Sequence, residues 1–202
     1  MNIRPEQFDA LKELINIGVA RAAGMLNQML HHSINLEVPQ IKLFPSDMLK
    51  NELQKLGRER LATVRMLFKG SFSGTAALVF PTVSASKLAA VLSEEDPETS
   101  DMDSVRIGAL SEVGNIVLNG VMGSIGNVLK EQISYSIPTY LEESIASLVA
   151  TSRSDPTGAI LLAETRFSIE RLQVGGDIIL LFESSFDTLL AAIDRMLEVD
   201  LG

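Results

Sequence analysis

A spaced pattern that occurs twice constrains this fold more than any other feature of the sequence. The pattern is a glutamate, an asparagine three residues later and a proline 23 residues after the asparagine. The composition of the 202-residue chain predicts roughly 0.02 such triples, so two copies indicate an internal duplication. The copies, which are 99 residues apart, are Glu13, Asn16 and Pro39, and Glu112, Asn115 and Pro138.

The elements around the two copies recur in the same order. Apolar residues at three- and four-residue steps predict a core-facing helix over 6–30 that includes Met25 and Met29. Ser100 with Asp103 predicts the capping box of a second long helix, and Thr82 predicts the cap of a short one. We expect strands over 34–38, 62–68, 72–80, 133–137, 145–150, 159–169 and 172–182, and helices over 46–56, 83–92, 100–131 and 184–198.

The chain is long enough to form one domain with a full core. An acidic segment over 93–99 divides it, which predicts a single domain made of two repeats, about 1–99 and 100–202. Both motif helices contain several small residues, among them Gly18 and Gly120. Because glycine disfavours a helix, this pattern predicts that the two helices pack closely and turn their Glu and Asn faces outward.

Composition excludes several classes of function. The chain has no cysteine, which rules out thiolate chemistry and fits a reducing compartment. Its formal net charge of −9 argues against nucleic acid as a partner. The uncharged stretch 113–129 contains several polar residues and is shorter than the roughly 20 apolar residues of a membrane span, so we expect no membrane insertion. The first residues lack a secretory signal, which predicts a cytoplasmic protein.

The glutamate and asparagine of each copy share one helix face, because they lie three residues apart. A solvated polar face explains a single copy, whereas the repeated spacing favours a functional role. A metal site is a poor alternative, because one carboxylate and one amide provide too few ligands to hold a metal ion. An amide both donates to and accepts from a water molecule, and phosphoryl transfer depends mainly on such positioning. Glu13 with Asn16 and Glu112 with Asn115 are therefore the candidate site.

The first copy extends to a longer pattern. Asp9 precedes Glu13 by four residues, and the stretch 13–18 reads ELINIG. In these residues the chain resembles the CheC/CheX/FliY phosphatases of bacterial and archaeal chemotaxis, which act on the phosphorylated response regulator CheY. The family pattern is [D/S]-x3-E-x2-N-x22-P, and the second copy departs from it at Gly108. Two copies in a chain of this length look like CheC.

This resemblance implies a pseudo-two-fold α+β fold, with two long motif helices on one side of a central β-sheet. It implies a hydrolase, a protein aspartyl-phosphate phosphatase, in which Asn16 and Asn115 orient the attacking water and Glu13 and Glu112 dock the phosphorylated CheY. It implies no cofactor of the chain's own, because the partner carries the Mg²⁺ ion.

A non-catalytic module that binds phosphorylated CheY, or the deamidase CheD, is the alternative. CheC proteins bind CheD, which makes CheD a second partner that the resemblance implies. The segment 145–158 passes directly from an apolar strand to a polar turn, without the acidic helix expected for CheD docking. This absence weakens the CheD inference.

Overall fold

The computed structural model describes residues 3–29, 33–45, 60–93, 102–144, 147, 159–169, 172–183 and 186–200. The helices in these ranges are α1 (Pro5–Met29), α2 (Thr82–Leu92), α3 (Ser104–Leu129) and α4 (Phe186–Asp200). The strands are β1 (Ile34–Pro45), β2 (Leu61–Gly70), β3 (Gly74–Pro81), β4 (Ile133–Tyr135), β5 (Thr139–Glu143), β6 (Ala159–Ile169) and β7 (Leu172–Phe182). The predicted helix over 46–56 falls outside the described residues, and so does almost all of the predicted strand over 145–150.

Two predicted helix caps were wrong. The N-cap of α3 is Asp103, whose carboxylate accepts hydrogen bonds from the backbone N–H groups of Val105 and Arg106 at 3.0 and 2.9 Å. An aspartate directly before the first turn satisfies two of the free N–H groups, so no cap three residues earlier is needed. Thr82 is the first residue of α2, and its predecessor Pro81 occupies the N-cap position without a side-chain cap hydrogen bond.

The strand predictions differ from the structure mainly at the sheet edges. The predicted ranges of β6 and β7 match, whereas β1 extends seven residues beyond its predicted end at Val38. The short strand β5 was missed, because its sequence TYLEE has no run of apolar residues or clear alternation. It pairs with β2 alone among the described strands, so exposed polar side chains are tolerated there.

One antiparallel seven-stranded sheet unites the two halves of the chain. Its order is β1-β6-β7-β3-β2-β4, and β5 pairs with β2 next to β4. Each strand has a counterpart in the other repeat: β1 corresponds to β4 with β5, β2 to β6, and β3 to β7. Exchanging every strand for its counterpart gives the same strand order read from the opposite edge of the sheet. The central pair β3 and β7 therefore flanks a pseudo-two-fold axis, which confirms the expected architecture.

The four helices that the structure describes cover the same face of the sheet. Alternate residues of the inner strands, such as Phe68, Leu78 and Leu180, join the buried residues of these helices in one core. The intervening residues, such as Val79 and Ile179, form a smaller cluster on the opposite sheet face that includes no residue of the described helices. The α+β class with both motif helices on one side is thus confirmed.

The two motif helices approach each other through glycine. A Cβ atom on Gly18 of α1 would lie 2.4 Å from the Cα atom of Val121, and one on Gly120 of α3 would lie 2.8 Å from the carbonyl oxygen of Gly18. Real side-chain carbons do not approach so closely, so these positions require glycine. The predicted close packing of α1 and α3 is therefore confirmed at Gly18 and Gly120.

Not every apolar residue of α1 joins the core. Leu11, Ile15 and Leu26 are fully buried, but Met25 and Met29 are 49% and 52% exposed. Their predicted core positions were wrong: both residues follow the apolar spacing of α1, but they lie in its last two turns, where their side chains remain exposed. Among the described helices, none combines the length and hydropathy of a membrane span.

Candidate functional site

The first Glu/Asn pair lies in the middle of α1 on a solvent-exposed face. Glu13 and Asn16 are both exposed, while their neighbours Leu14 and Ile15 are buried in the core. The amphipathic pattern of the helix thus determines which side chains remain in water. Within the described part of the chain, neither Glu13 nor Asn16 has a hydrogen-bond or ion-pair partner, so both can bind a partner molecule.

The second pair lies at the equivalent place in α3. Glu112 is exposed, and Asn115 is partly buried. The side-chain N–H of Asn119, one helical turn further on, donates a hydrogen bond to Oδ1 of Asn115 at 2.6 Å. Sequence reasoning missed Asn119, although its spacing of four residues from Asn115 places the two amides next to each other on a helix.

The two pairs face in opposite directions. In α1 the contact with α3 is made by Gly18, which follows Asn16 by two residues and therefore lies about 200° around the helix. In α3 the contact is made by Gly120 and Val121, five and six residues after Asn115, on the side away from its amide. Each helix therefore presents its Glu/Asn pair away from the other helix, and the molecule has two separate candidate surfaces.

The surroundings of the two pairs also differ at the leading motif position. Asp9 is exposed on α1 and forms an ion pair with Lys12 at 3.6 Å, between a carboxylate oxygen and Nζ. Lys12 also lies over the ring of Phe8, 4.7 Å from its centre. Gly108, at the equivalent position of α3, is exposed, and a Cβ atom there would have no neighbour within 4 Å. By the offset of 99 residues, Asp9 and Lys12 correspond to Gly108 and Ser111, so α1 has two charged side chains at positions that are uncharged in α3.

The two motif prolines lie at the outer edges of the sheet. Pro39 coincides with a shift in the pairing register of β1 with β6, between Glu37 and Gln40. Pro138 lies in the interruption between β4 and β5, next to Ile137, which is 87% exposed. Proline lacks the N–H that a ladder bond needs, so both positions fit an edge-strand role rather than a chemical one.

Other polar clusters do not converge on the two pairs. No group of three or more His, Cys, Asp or Glu residues capable of holding a metal ion occurs among the residues that the structure describes. A cavity of about 710 Å³ lies at the C-terminal end of α3, between that helix and β4. Its lining includes Gly126, Glu131 and Tyr135 but none of the four motif residues. Burial raises the pKa of the Tyr135 hydroxyl above its ordinary value.

The middle of the chain, which spans parts of both halves, matches a known family. The family described as "Chemotaxis phosphatase CheX" matches residues 62–157. The "CheY-P phosphatase CheC" of Bacillus subtilis (strain 168) is 29% identical over 118 residues. That match spans 57% of this chain and 56% of the B. subtilis protein, so it covers little more than half of either.

Solved structures of similar fold cover almost the whole chain. FliY from Thermotoga maritima superposes with a TM-score of 0.72 at 18% identity, covering 98% of this chain and 97% of that one. The FliM middle domain from H. pylori has a TM-score of 0.70 at 9% identity, with 94% and 99% covered. A chain of the CheX-CheY-BeF3-Mg+2 complex from Borrelia burgdorferi has a TM-score of 0.53 at 17% identity, with 89% and 100% covered. At these identities the likeness concerns the fold.

Proposed function

We propose that this chain hydrolyses the aspartyl phosphate of a CheY-type response regulator, because its sequence is similar to chemotaxis phosphatases of the CheC/CheX type and its fold is similar to that of FliY. Each Glu/Asn pair forms one active surface, so the molecule has two. The observation that supports this proposal best is the pair of matching helix faces, on which Glu13 with Asn16 and Glu112 with Asn115 are available to a partner.

The proposed chemistry needs no nucleophile from this chain. A water oxygen forms a bond to phosphorus while the bond between phosphorus and the aspartyl oxygen breaks. The products are the aspartate carboxylate and hydrogen phosphate, which keeps one hydrogen of the water, while the other leaves as a proton. Asn16 or Asn115 holds the water in line with the breaking bond. The Mg²⁺ ion that neutralises the phosphoryl oxygens is supplied by the regulator.

The glutamates act before the chemical step in this proposal. A carboxylate on a rigid, exposed helix pairs with a lysine of the regulator and fixes the register of docking. Within the described residues Glu13 and Glu112 form no ion pair, so docking breaks no existing contact of either carboxylate. The solved CheX-CheY-BeF3-Mg+2 complex shows that a protein of this fold binds a CheY, which supports a CheY-type partner here.

A non-catalytic binding module is the second candidate. The fold is shared with the FliM middle domain, so the fold alone does not determine phosphatase activity. Such a module would bind the phosphorylated regulator, or a CheD-type deamidase, without speeding loss of the phosphoryl group. The two candidates differ in a measurable rate, because a sequestering protein slows the decay of the phosphorylated regulator or leaves it unchanged.

The test is the decay of a phosphorylated CheY-type regulator from the same cell, measured as release of inorganic phosphate. We expect the protein to accelerate this decay, and Asn16→Ala or Asn115→Ala each to remove one surface and leave the other active. The double variant should lose about 10²- to 10³-fold in kcat, as when a preorganised polar group is deleted. Gln28→Ala and Asn127→Ala are matched controls, because each removes an exposed amide from the same helices outside the motifs.

A folded double variant with wild-type activity would contradict the proposed role of the asparagines. A wild-type protein that does not accelerate the decay would leave the binding module as the better account. Thermal unfolding of each variant verifies folding, and exposed helix-face substitutions should shift the free energy of unfolding by less than about 0.5 kcal/mol.

A further inference from the structure

The two candidate surfaces differ at the position one helical turn after the motif asparagine. In α3 that position is Asn119, which donates its amide hydrogen to Oδ1 of Asn115 at 2.6 Å. Side chains on a helix lean toward its N-terminus, so a residue at i+4 reaches back to the residue at i. Both residues are partly buried, which limits the access of competing water to this hydrogen bond.

The first surface has no counterpart to this hydrogen bond. The offset of 99 residues between the repeats places Ala20 at the position equivalent to Asn119. Ala20 is exposed, and its methyl group cannot donate a hydrogen bond. Asn16 has no hydrogen-bond partner in the described part of the chain. Its amide is therefore free to rotate in water, whereas that of Asn115 is fixed by a neighbour.

We propose that Asn119 is a positioning residue of the second surface, which holds the Asn115 amide ready to orient the attacking water, and that Ala20 leaves the first surface without this support. This inference rests on the proposed phosphatase function. Oδ1 of Asn115 has two lone pairs, of which Asn119 occupies one. The second lone pair and the N–H groups of Asn115 remain available to the water.

The hydrogen bond from Asn119 to Asn115 should increase kcat and leave KM unchanged. Asn119 fixes the group that orients the water, and an ordered group loses less conformational freedom when the reacting geometry forms. Docking of the regulator depends on Glu112, which does not contact Asn119. Loss of this hydrogen bond should lower kcat about two- to tenfold, which corresponds to the net free energy of one hydrogen bond.

The first experiment isolates the second surface in the Asn16→Ala background. Adding Asn119→Ala should lower kcat for the phosphorylated regulator about two- to tenfold and leave KM within about twofold. The matched control adds Asn127→Ala, which removes an exposed amide from the same helix and should change neither constant. An unchanged or raised kcat with Asn119→Ala overturns the proposal.

The second experiment separates positioning from a general effect on the fold. In the Asn115→Ala background, Asn119→Ala should have no effect on the activity of the first surface, because the amide it positions is absent. In the same background, Ala20→Asn should raise kcat by a similar factor, since it installs the missing hydrogen-bond donor. A loss of activity with Asn119→Ala in this background, or no gain with Ala20→Asn, contradicts the proposal.

Failure of this inference is distinguishable from failure of the proposed function. The function fails if the wild-type protein does not accelerate the decay of the phosphorylated regulator, and the role of the asparagines fails if the Asn16→Ala/Asn115→Ala protein keeps the wild-type rate. The inference alone fails if that double variant is inactive and Asn119→Ala still leaves kcat of the second surface unchanged.

Discussion

At the scale of single residues, our proposal gives the glutamate and the asparagine of each pair separable roles. In this proposal the asparagine acts on the water that attacks phosphorus, so its contribution appears in the transition state. The glutamate would contact the regulator before and during the reaction alike, and such uniform binding lowers KM without raising kcat. The exposure of Glu13 and Glu112 means that replacing either one leaves no buried charge unpaired.

We expect Glu13→Ala combined with Glu112→Ala to raise KM for the phosphorylated regulator about tenfold and to change kcat by less than about threefold, the pattern of a lost charge-assisted contact. Steady-state phosphate release over a range of regulator concentrations measures both constants. The exposed Glu198→Gln on α4 is the control. A fall in kcat at unchanged KM would assign the glutamates to the chemical step instead.

Asp177 carries a residue-scale prediction about stability. Burial raises the pKa of the Asp177 carboxyl from 3.8 to about 6, with a further increase from Glu164 and an opposing effect of Lys42. Between these two pH values the folded protein binds more protons than the unfolded chain, so stability falls as pH rises through this range. Above pH 6 the Asp177 carboxylate is ionised in the folded protein, and its desolvation lowers the free energy of unfolding by the full amount.

Asp177→Asn should therefore raise the Tm at pH 7.5, and this gain should fade as the pH is lowered toward 4. Calorimetry of both proteins across this range checks the prediction, with Glu198→Gln as the exposed control. A gain in Tm that is the same at pH 4 and pH 7.5 would show that the ionisation of Asp177 is not its source.

At the scale of elements, the contact between α1 and α3 determines where the candidate surfaces face. Gly18 and Gly120 let the two helix backbones touch, and the Glu/Asn pairs are on the outer sides as a result. Glycine normally costs about 1 kcal/mol in a helix relative to alanine. At these two positions the close approach offsets that cost, because a side chain would force the helices apart.

Gly18→Ala should lower the free energy of unfolding by about 1 to 3 kcal/mol, the usual effect of overpacking. Gly24→Ala on the same helix is the matched control, because a Cβ atom there has no neighbour within 4 Å. This control should raise stability by up to about 1 kcal/mol through helix propensity. Urea unfolding measures both changes, and equal effects of the two substitutions would contradict the close helix contact.

At the scale of the whole molecule, the two repeats exchange strands. β1 belongs to the first half but pairs only with β6 among the described strands, and β4 and β5 of the second half pair with β2. Neither half can therefore complete its sheet from its own sequence. This exchange supports our proposal that 1–99 and 100–202 are repeats of one domain and not two domains.

A chain of residues 1–99 alone should consequently fail to form a stable folded monomer. Its strand β1 would lack β6, and its strand β3 would expose an edge that β7 normally covers. We expect either an unfolded chain or a homodimer that replaces the missing repeat with a second copy. Analytical ultracentrifugation and thermal unfolding test this, and a cooperative unfolding transition of a monomer would contradict it.

The sequence by itself determined the features that depend on local periodicity and spacing. The offset between the motif copies predicted the duplication, and the three-residue step predicted that Glu13 shares an exposed face with Asn16. The apolar runs predicted β6 and β7 along their whole length. These features follow from the neighbours of each residue along the chain, and they hold wherever the element packs.

Only the tertiary structure decided the features that depend on which elements meet. The exchange of β1 and β5 between the halves, the exposure of Met25, and the choice of Gly18 and Gly120 as contact points all follow from how distant segments pack. The hydrogen bond from Asn119 to Asn115 has a local spacing, yet many neighbouring polar residues on a helix do not bond. This hydrogen bond could be identified only from the side-chain positions in the structure, because packing of the surrounding residues fixes which rotamers an amide adopts.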